Sequence, residues 1–209
     1  MTSAHTLPRL HVVGDSISIQ YGPFLEPRLA GIAAYSRKTG DVGKLDDPQG
    51  ANGGDSSMVV EYLRSLPQPI LPSIRYLMVN CGLHDIKRQI GSNTIQVPIG
   101  TYTENLERIV TFAREMDSVL IWVRTTPVVD AIHNHPGMEF HRYAADVETY
   151  NAAADSIMAR HGIASIDLFT FTRGMGPSAY CDHVHYVESV REQQAAFIAA
   201  QLREIIQRG

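Results

Sequence analysis

The chain lacks the features that mark secreted, membrane-spanning or nucleic-acid-binding proteins. Its two cysteines are too few for a disulfide framework, and no apolar stretch approaches the ~20 residues needed to span a bilayer. The 18 basic and 22 acidic residues give a formal charge of −4 with no basic run, which argues against nucleic acid or a membrane surface as the main partner. Residues 1–8 lack the basic start and apolar core of a signal peptide. We therefore expect a cytoplasmic protein.

The remaining composition is ordinary for a soluble globular protein, with 44% hydrophobic and 19% charged residues. A chain of 209 residues is expected to form a single domain over residues 1–209 and to bury roughly 70% of its unfolded surface. No linker or internal repeat divides it. The last predicted helix is expected to pack on its own sheet or at a homo-oligomer interface.

Short apolar runs alternate with stretches of helical periodicity. The runs predict strands at 10–13, 31–35, 74–80, 119–123 and 163–168. Helices are predicted at 19–29, 58–65, 102–116, 143–160 and 187–206. Because the strands are almost continuously apolar, they indicate a parallel sheet covered on both faces. The predicted fold class is α/β, a three-layer α/β/α sandwich with five parallel strands in a flavodoxin-like order.

Residues able to do chemistry fall in the loops after these strands. They are Ser16 after the first strand, Gly53 and Gly54 after the second, Gly82–Asp85 after the third, and Asp182 and His185 beyond the fifth. The carboxyl ends of parallel strands share one rim, where such sheets bind their ligands. We therefore expect these residues to lie close together.

Ser16, Asp182 and His185 have the chemistry of an activated serine. Serine becomes a good nucleophile when a base within hydrogen-bond reach takes its proton, and histidine oriented by a carboxylate suits that task. In a single turn, the three-residue spacing brings Asp182 and His185 to the same side, whereas His183 adjoins Asp182 and should point away. The alternative is that Asp182 caps the last helix and both histidines lie on the surface.

Acyl transfer also needs hydrogen-bond donors aimed at the developing oxyanion. The backbone N–H at Ser16 is one candidate. The glycine-containing segment 52–57 offers a second, since glycine lets the backbone approach a substrate closely. The side chain of His84 is a third. The alternative for each glycine is a tight turn with no catalytic role.

The order of these blocks resembles the SGNH (GDSL-like) hydrolase superfamily, named for a Ser, a Gly, an Asn and a His. Gly14-Asp15-Ser16 is similar to its nucleophile block, Gly54 to its oxyanion glycine, and Asp182-x-x-His185 to its final block. The resemblance implies that Ser16 is the nucleophile, His185 the base and Asp182 the residue that orients it. Gly53 and Asp15 are expected beside them in the oxyanion and substrate site.

The third block departs from the family pattern. It is usually Gly-x-Asn-Asp, with the Asn amide donating to the oxyanion, whereas this chain has Gly82-Leu83-His84-Asp85. A histidine N–H can donate in the same place. A protonated His84 would hold the oxyanion more strongly and make the reaction more sensitive to pH. The alternative is that His84 turns away and pairs with Asp85.

The resemblance implies a serine esterase that needs no metal or organic cofactor. The absence of a lid domain and of a long apolar channel favours small acyl groups, by analogy acetyl groups on a carbohydrate or small-molecule ester. The alternatives are an acyl-thioester or lysophospholipid hydrolase, and a non-catalytic carbohydrate-binding domain. A metal site is conceivable in the loop that contains Asp130, His133, His135 and His141. However, these residues do not have the spacing of metal ligands on a single helix or strand. We expect a mobile substrate loop with solvated histidines.

Overall fold

The computed structural model describes residues 6–67 and 73–208. The first five residues of the N-terminal segment considered above lie outside this part. Within it, the strands are β1 (Arg9–Val13), β2 (Ala34–Arg37), β3 (Tyr76–Val79), β4 (Arg88–Gln89), β5 (Val119–Val123), β6 (Phe140–His141) and β7 (Ala164–Ile166). The helices are α1 (Ser16–Arg28), α2 (Ser56–Ser65), α3 (Ile99–Glu115), α4 (Asp130–His133), α5 (Ala144–Arg160), α6 (Leu168–Arg173) and α7 (Glu188–Arg208), with a 3₁₀ turn at Pro177–Ala179.

Five parallel strands form one sheet in the order β2-β1-β3-β5-β7. The central strands consist of the apolar runs, because a strand covered on both faces can expose few polar side chains. Every residue of β3 is buried, as are four of the five in β1 and in β5. The predicted five-stranded sheet and its flavodoxin-like order are confirmed.

The helices cover both faces of the sheet in two groups. One group joins α1, α6 and α7, and the other joins α2, α3 and α5. The core lies between each group and the sheet, where Trp122 is fully buried. The three-layer α/β/α architecture is therefore confirmed. None of the described helices is long and apolar enough to cross a membrane.

Several predicted boundaries are wrong for local reasons. The second strand begins at Ala34 because Gly31, with a φ of 75°, and the N–H of Ile32 complete the turn that ends α1. The last strand stops before Leu168 because the Asp167 side chain accepts the N–H of Thr170 and starts α6. The antiparallel pair β4–β6 was not predicted, since two-residue strands have no periodicity.

Candidate active site

Ser16 lies where the first strand passes into the first helix. β1 ends at Val13, and Ser16 is the first residue of α1. Asp15 caps that helix, because its Oδ1 accepts the N–H of Ile17 at 3.0 Å. The first N–H groups of a helix have no partner within the helix and carry its positive dipole end. The Ser16 backbone is thus placed where an oxyanion can be stabilised.

His185 connects Ser16 to Asp182 in one hydrogen-bonded chain. His185 Nε2 lies 2.8 Å from Ser16 Oγ, and His185 Nδ1 lies 2.8 Å from Asp182 Oδ2. Ser16 is 3% exposed and His185 is 4% exposed, so the contact between them is largely shielded from water. The structure brings together three residues that are 169 and three positions apart along the chain.

Asp182 is held as a carboxylate. Burial alone would raise the pKa of Asp182, but the N–H groups of His185 and Val184 and the His185 imidazole outweigh it and lower this pKa to about 2. An ionised Asp182 can fix the His185 tautomer and stabilise the imidazolium formed in catalysis. Because α7 begins only at Glu188, Asp182 does not cap the last helix, and that alternative is wrong.

His183 packs against other histidine rings. Its ring lies edge-on to His133, with centroids 4.8 Å apart, and 6.2 Å from the ring of His185. Burial lowers the pKa of His183, with Arg142 and His185 acting in the same direction. His183 therefore forms part of the wall behind the catalytic imidazole.

The two glycines of the second loop have different roles. Gly53 donates its N–H to the carbonyl of Gly14 at 2.8 Å, so it supports the nucleophile turn. Because its N–H is already bonded to the backbone, Gly53 is not a free donor for an oxyanion. Gly54 has a φ of 71°, and a Cβ placed there would lie 2.4 Å from Met58 Sδ. Only glycine fits this turn without strain.

The N–H of Gly54 is bonded to the Asn52 side chain, at 2.7 Å from Oδ1. Asn52 is fully buried, and its Nδ2 donates to the carbonyl of Leu45 at 2.6 Å. Together these two bonds fix the orientation of the Asn52 amide, with Oδ1 towards Gly54 and Nδ2 towards Leu45. For Gly54 to donate to an oxyanion, its N–H must be shared with Asn52 Oδ1 or released from it.

His84 lies against Asn52 as a neutral ring. Its Nε2 is 3.4 Å from Asn52 Nδ2, which can donate to it. Burial lowers the pKa of His84 well below its usual value, and Lys87, Arg142 and His185 lower it further. A neutral ring that accepts at Nε2 carries its proton on Nδ1, and that N–H is the oxyanion donor the ring can offer. A protonated His84, considered from the sequence, is disfavoured.

The alternative pairing of His84 with Asp85 is absent among the described contacts. Both oxygens of Asp85 accept the N–H of Ser56, at 3.0 and 3.1 Å. Burial raises the pKa of Asp85 to about 7. Asp85 therefore connects the segment Gly82–Asp85 to the start of α2. Its carboxylate does not engage the His84 ring.

Asp15 supports the nucleophile instead of lining the substrate site. It is 1% exposed, and burial raises its pKa to about 6. Its Oδ1 caps α1, and its Oδ2 has no hydrogen-bond partner among the described residues. The expected place of Asp15 beside the substrate is corrected to that of a buried capping residue.

Lys38 organises the loop that carries the glycines. Its ammonium group donates to the carbonyls of Pro48, Gly50 and Asn52. These bonds hold the irregular segment before Gly54 at the end of β2. A lysine in a polar loop such as the one after the predicted strand 31–35 would ordinarily be assigned to solvent, so the sequence offered no indication of this role.

Arg142 is a further residue of the site that the sequence did not reveal. Arg142 is 3% exposed; its Nε donates to the Leu83 carbonyl at 2.6 Å, and its Nη1 lies 2.9 Å from His133 Nε2. Burial lowers the pKa of His133 to about 4, so the ring accepts from Arg142 as a neutral group. The expectation of solvated histidines in this loop is wrong for buried His133, whereas His135 is exposed. Within residues 6–67 and 73–208, no three His, Cys, Asp or Glu side chains converge as a metal site.

The comparisons with known proteins agree with this geometry. Residues 12–188 match the model of the GDSL-like Lipase/Acylhydrolase family. The fold is similar to that of a lipase/acylhydrolase from Enterococcus faecalis, with 17% identity, a TM-score of 0.69 and 97% of each chain covered. No curated protein matches the sequence.

Two further solved structures are similar. A GDSL-like lipase from Bacteroides thetaiotaomicron has 14% identity and a TM-score of 0.64, with 96% of this chain and 88% of that chain covered. The acetyl xylan esterase AlAXEase has 12% identity and a TM-score of 0.69, with 92% of this chain and 98% of that chain covered. At such identities, the likeness to solved structures shows the fold.

Proposed function

Because this chain belongs to the GDSL-like lipase/acylhydrolase family, we propose that it is a serine esterase that removes small acyl groups, acetyl above all, from carbohydrate or small-molecule alcohols. The observation that carries this proposal is the chain of 2.8 Å hydrogen bonds from Ser16 through His185 to Asp182. The proposal needs no metal or organic cofactor.

In the proposed first half-reaction, Ser16 Oγ attacks the ester carbonyl carbon while His185 Nε2 takes the hydroxyl proton. The carbonyl π electrons move to oxygen and form an oxyanion. The proposed donors for it are the N–H of Ser16, Nδ1–H of His84 and, once it is shared with or released from Asn52 Oδ1, the N–H of Gly54. The C–O bond to the alcohol then breaks, and His185 returns the proton to the leaving oxygen.

The second half-reaction repeats these steps with water. His185 removes a proton from water, whose oxygen attacks the acyl carbon of the acyl-enzyme. A second oxyanion occupies the same donors, the bond to Ser16 Oγ breaks, and the proton returns to Ser16. The carboxylic acid is released and the enzyme is restored.

A cavity beside the nucleophile helix can hold the alcohol portion of the ester. This cavity has a volume of about 600 Å³ and includes Ile19 and Gln20, which follow Ser16 by one helical turn. Its lining is largely apolar but also carries polar side chains, among them Gln20, Glu26, Arg37, Glu188 and Arg191. These polar side chains can hydrogen-bond the hydroxyl groups of a sugar, while the apolar ones pack against its ring. The similarity to an acetyl xylan esterase supports a carbohydrate alcohol.

The test is hydrolysis of 4-nitrophenyl acetate, butyrate and octanoate, followed by acetylated oligosaccharides. We expect kcat/KM to fall as the acyl chain lengthens and Ser16→Ala to abolish turnover. Ser156→Ala, at an exposed serine of α5, is the matched control and should keep the wild-type rate.

Each other outcome of these assays would support a different function. A rate that rises towards octanoate would support a lysophospholipid hydrolase, and selective turnover of acetyl thioesters would support a thioesterase. Equal rates for wild type and Ser16→Ala would refute the esterase. If Ser16→Ala and the wild type also bound acetylated oligosaccharides equally without turnover, a carbohydrate-binding domain would be supported.

A further inference from the structure

Two cations lie beside His84 without a carboxylate partner. Lys87 follows His84 by one turn, and its N–H lies 3.4 Å from the His84 carbonyl. Arg142 is bonded to the carbonyl of Leu83, the residue before His84. Both cations are thus attached to the segment that carries the proposed oxyanion donor.

A shared aromatic ring places the two cations in one cluster. Lys87 Nζ lies 4.6 Å from the centroid of the Phe140 ring, and Arg142 Cζ lies 4.8 Å from it. The backbone N–H and carbonyl of Arg142 are both bonded to the Asn134 side chain, at 3.0 and 2.8 Å. These bonds fix the Arg142 backbone, and the bonds to Leu83 and His133 fix its guanidinium. An anion attracted by this group would therefore cost little further side-chain conformational entropy.

Neither cation of this cluster has a direct counter-ion. Among the described residues, no carboxylate oxygen forms an ion pair within 4.0 Å of Lys87 or Arg142. Carboxylates act on them from further away: Asp15 and Asp46 on Arg142, and Asp46, Asp55 and Glu139 on Lys87. Both hydrogen-bond partners of the Arg142 guanidinium, the Leu83 carbonyl and His133, are neutral. A buried or half-buried cation without a direct ion pair can gain free energy from a bound anion.

A cavity opens on the Lys87 side of the cluster. It has a volume of about 490 Å³, and its lining includes Lys87 and Phe140 together with Gln89, Gln96 and Glu139. Arg142, which is 3% exposed, lies behind this wall and does not line the cavity. Gln96 donates to Asp55 Oδ2 at 2.8 Å, and Asp55 directly follows Gly54. Gln96 and Lys87 therefore connect the cavity to the loops that carry Gly54 and His84.

We propose that Lys87, with the buried charge of Arg142 behind it, forms a subsite for an anionic group of the substrate. This inference rests on the proposed esterase function. Because an acetyl group carries no charge, the anion belongs to the alcohol portion, as in an acetylated acidic sugar. The ammonium group of Lys87 and the amide side chains of Gln89 and Gln96 on the cavity wall suit an anionic, hydroxyl-rich group. Glu139 lies exposed at the rim of the cavity and opposes the same anion.

The test compares three aryl acetates that differ only in one substituent: 3-acetoxybenzoate, its uncharged methyl ester, and 3-acetoxyphenyl phosphate. The measured quantity is the ratio of kcat/KM for a charged ester to that for the neutral one. We expect Lys87→Gln to lower this ratio about tenfold, since ion-assisted contacts typically contribute that much. Glu139→Gln should raise it, and higher salt should lower it in the wild type.

Lys44→Gln is the matched control, because it removes the same charge from an exposed loop that does not line this cavity. It should leave the ratio unchanged. Arg142→Lys is a second test variant, although its lost bond to Leu83 is expected to slow the neutral ester too. The benzoate and phosphate arms distinguish a carboxylate from a phosphate as the preferred anion.

The outcomes separate the subsite from the esterase. If Ser16-dependent hydrolysis occurs and Lys87→Gln keeps the wild-type ratio, the subsite is overturned and the esterase stands. If no ester is hydrolysed, calorimetry with 3-hydroxybenzoate and its methyl ester decides between the two. Weaker benzoate binding in Lys87→Gln alone would support the subsite, and equal binding by all variants would refute it.

Discussion

Replacing His84 tests whether this side chain substitutes for the usual asparagine of the family. His84 is 5% exposed, and its Nε2 lies against Asn52 Nδ2 at 3.4 Å. We expect His84→Ala to lower kcat ~100- to 1,000-fold, the usual effect of losing one oxyanion donor. KM should change little, because the lost interaction forms chiefly in the transition state.

His84→Asn provides the sharper comparison. An asparagine amide can donate from the same backbone position, so this variant should recover a large part of the activity lost in His84→Ala. The assay is steady-state hydrolysis of 4-nitrophenyl acetate, with urea unfolding to verify that each variant is folded. His135→Ala, at an exposed histidine, is the matched control and should keep the wild-type kcat.

The pH dependence gives a further check on His84. Burial holds its pKa well below the usual value, so the ring stays neutral wherever the enzyme is active. His84→Asn should therefore leave the shape of the kcat profile between pH 5 and 8 unchanged, although its height differs. A folded His84→Ala with the wild-type kcat would refute the donor role and leave only backbone donors.

Other predictions concern the triad, the glycine turn and metals. Asp182→Asn should lower kcat about 10⁴-fold while the variant stays folded. Because the pKa of Asp182 is lowered to about 2, its contribution to stability is present above about pH 4 and lost as the pH falls towards 2. The difference in unfolding free energy between wild type and this variant should shrink over that window. Gly54→Ala should destabilise more than Gly31→Ala, since both positions have positive φ but only the first adds a clash with Met58; equal urea midpoints would contradict this. Dialysis against EDTA should leave kcat/KM unchanged, and a loss restored by zinc would contradict the cofactor-free mechanism.

The sheet and the approach of Ser16, His185 and Asp182 to one another were predictable because they depend on short-range patterns. Apolar runs identified the five strands, and the rule that parallel strands place their carboxyl ends at one rim brought Ser16 and His185 together. The three-residue spacing also predicted that the Asp182 and His185 side chains meet, and they do form a hydrogen bond within a single turn.

What could not be predicted depends on contacts between distant segments. Arg142 contacts Leu83 from 59 positions away and lies just after β6, a two-residue strand too short for any periodicity. Gly53 and Gly54 were recognisable as a glycine turn, but only the fold shows that their N–H groups are bonded to Gly14 and Asn52. His133 follows the apolar residues Val128, Val129 and Ile132, but the four-residue helix α4 is too short for a periodicity that would predict its burial.

The most direct test of the proposed mechanism is to label its nucleophile. The protein is incubated with a fluorophosphonate, digested and mapped by mass spectrometry while the residual esterase activity is measured. We expect one adduct per chain on Ser16 and a loss of esterase activity in proportion to the fraction of chains labelled. A His185→Ala variant should be labelled much more slowly. An adduct on another residue, or full activity in a chain labelled at Ser16, would contradict the proposal that Ser16 is the nucleophile.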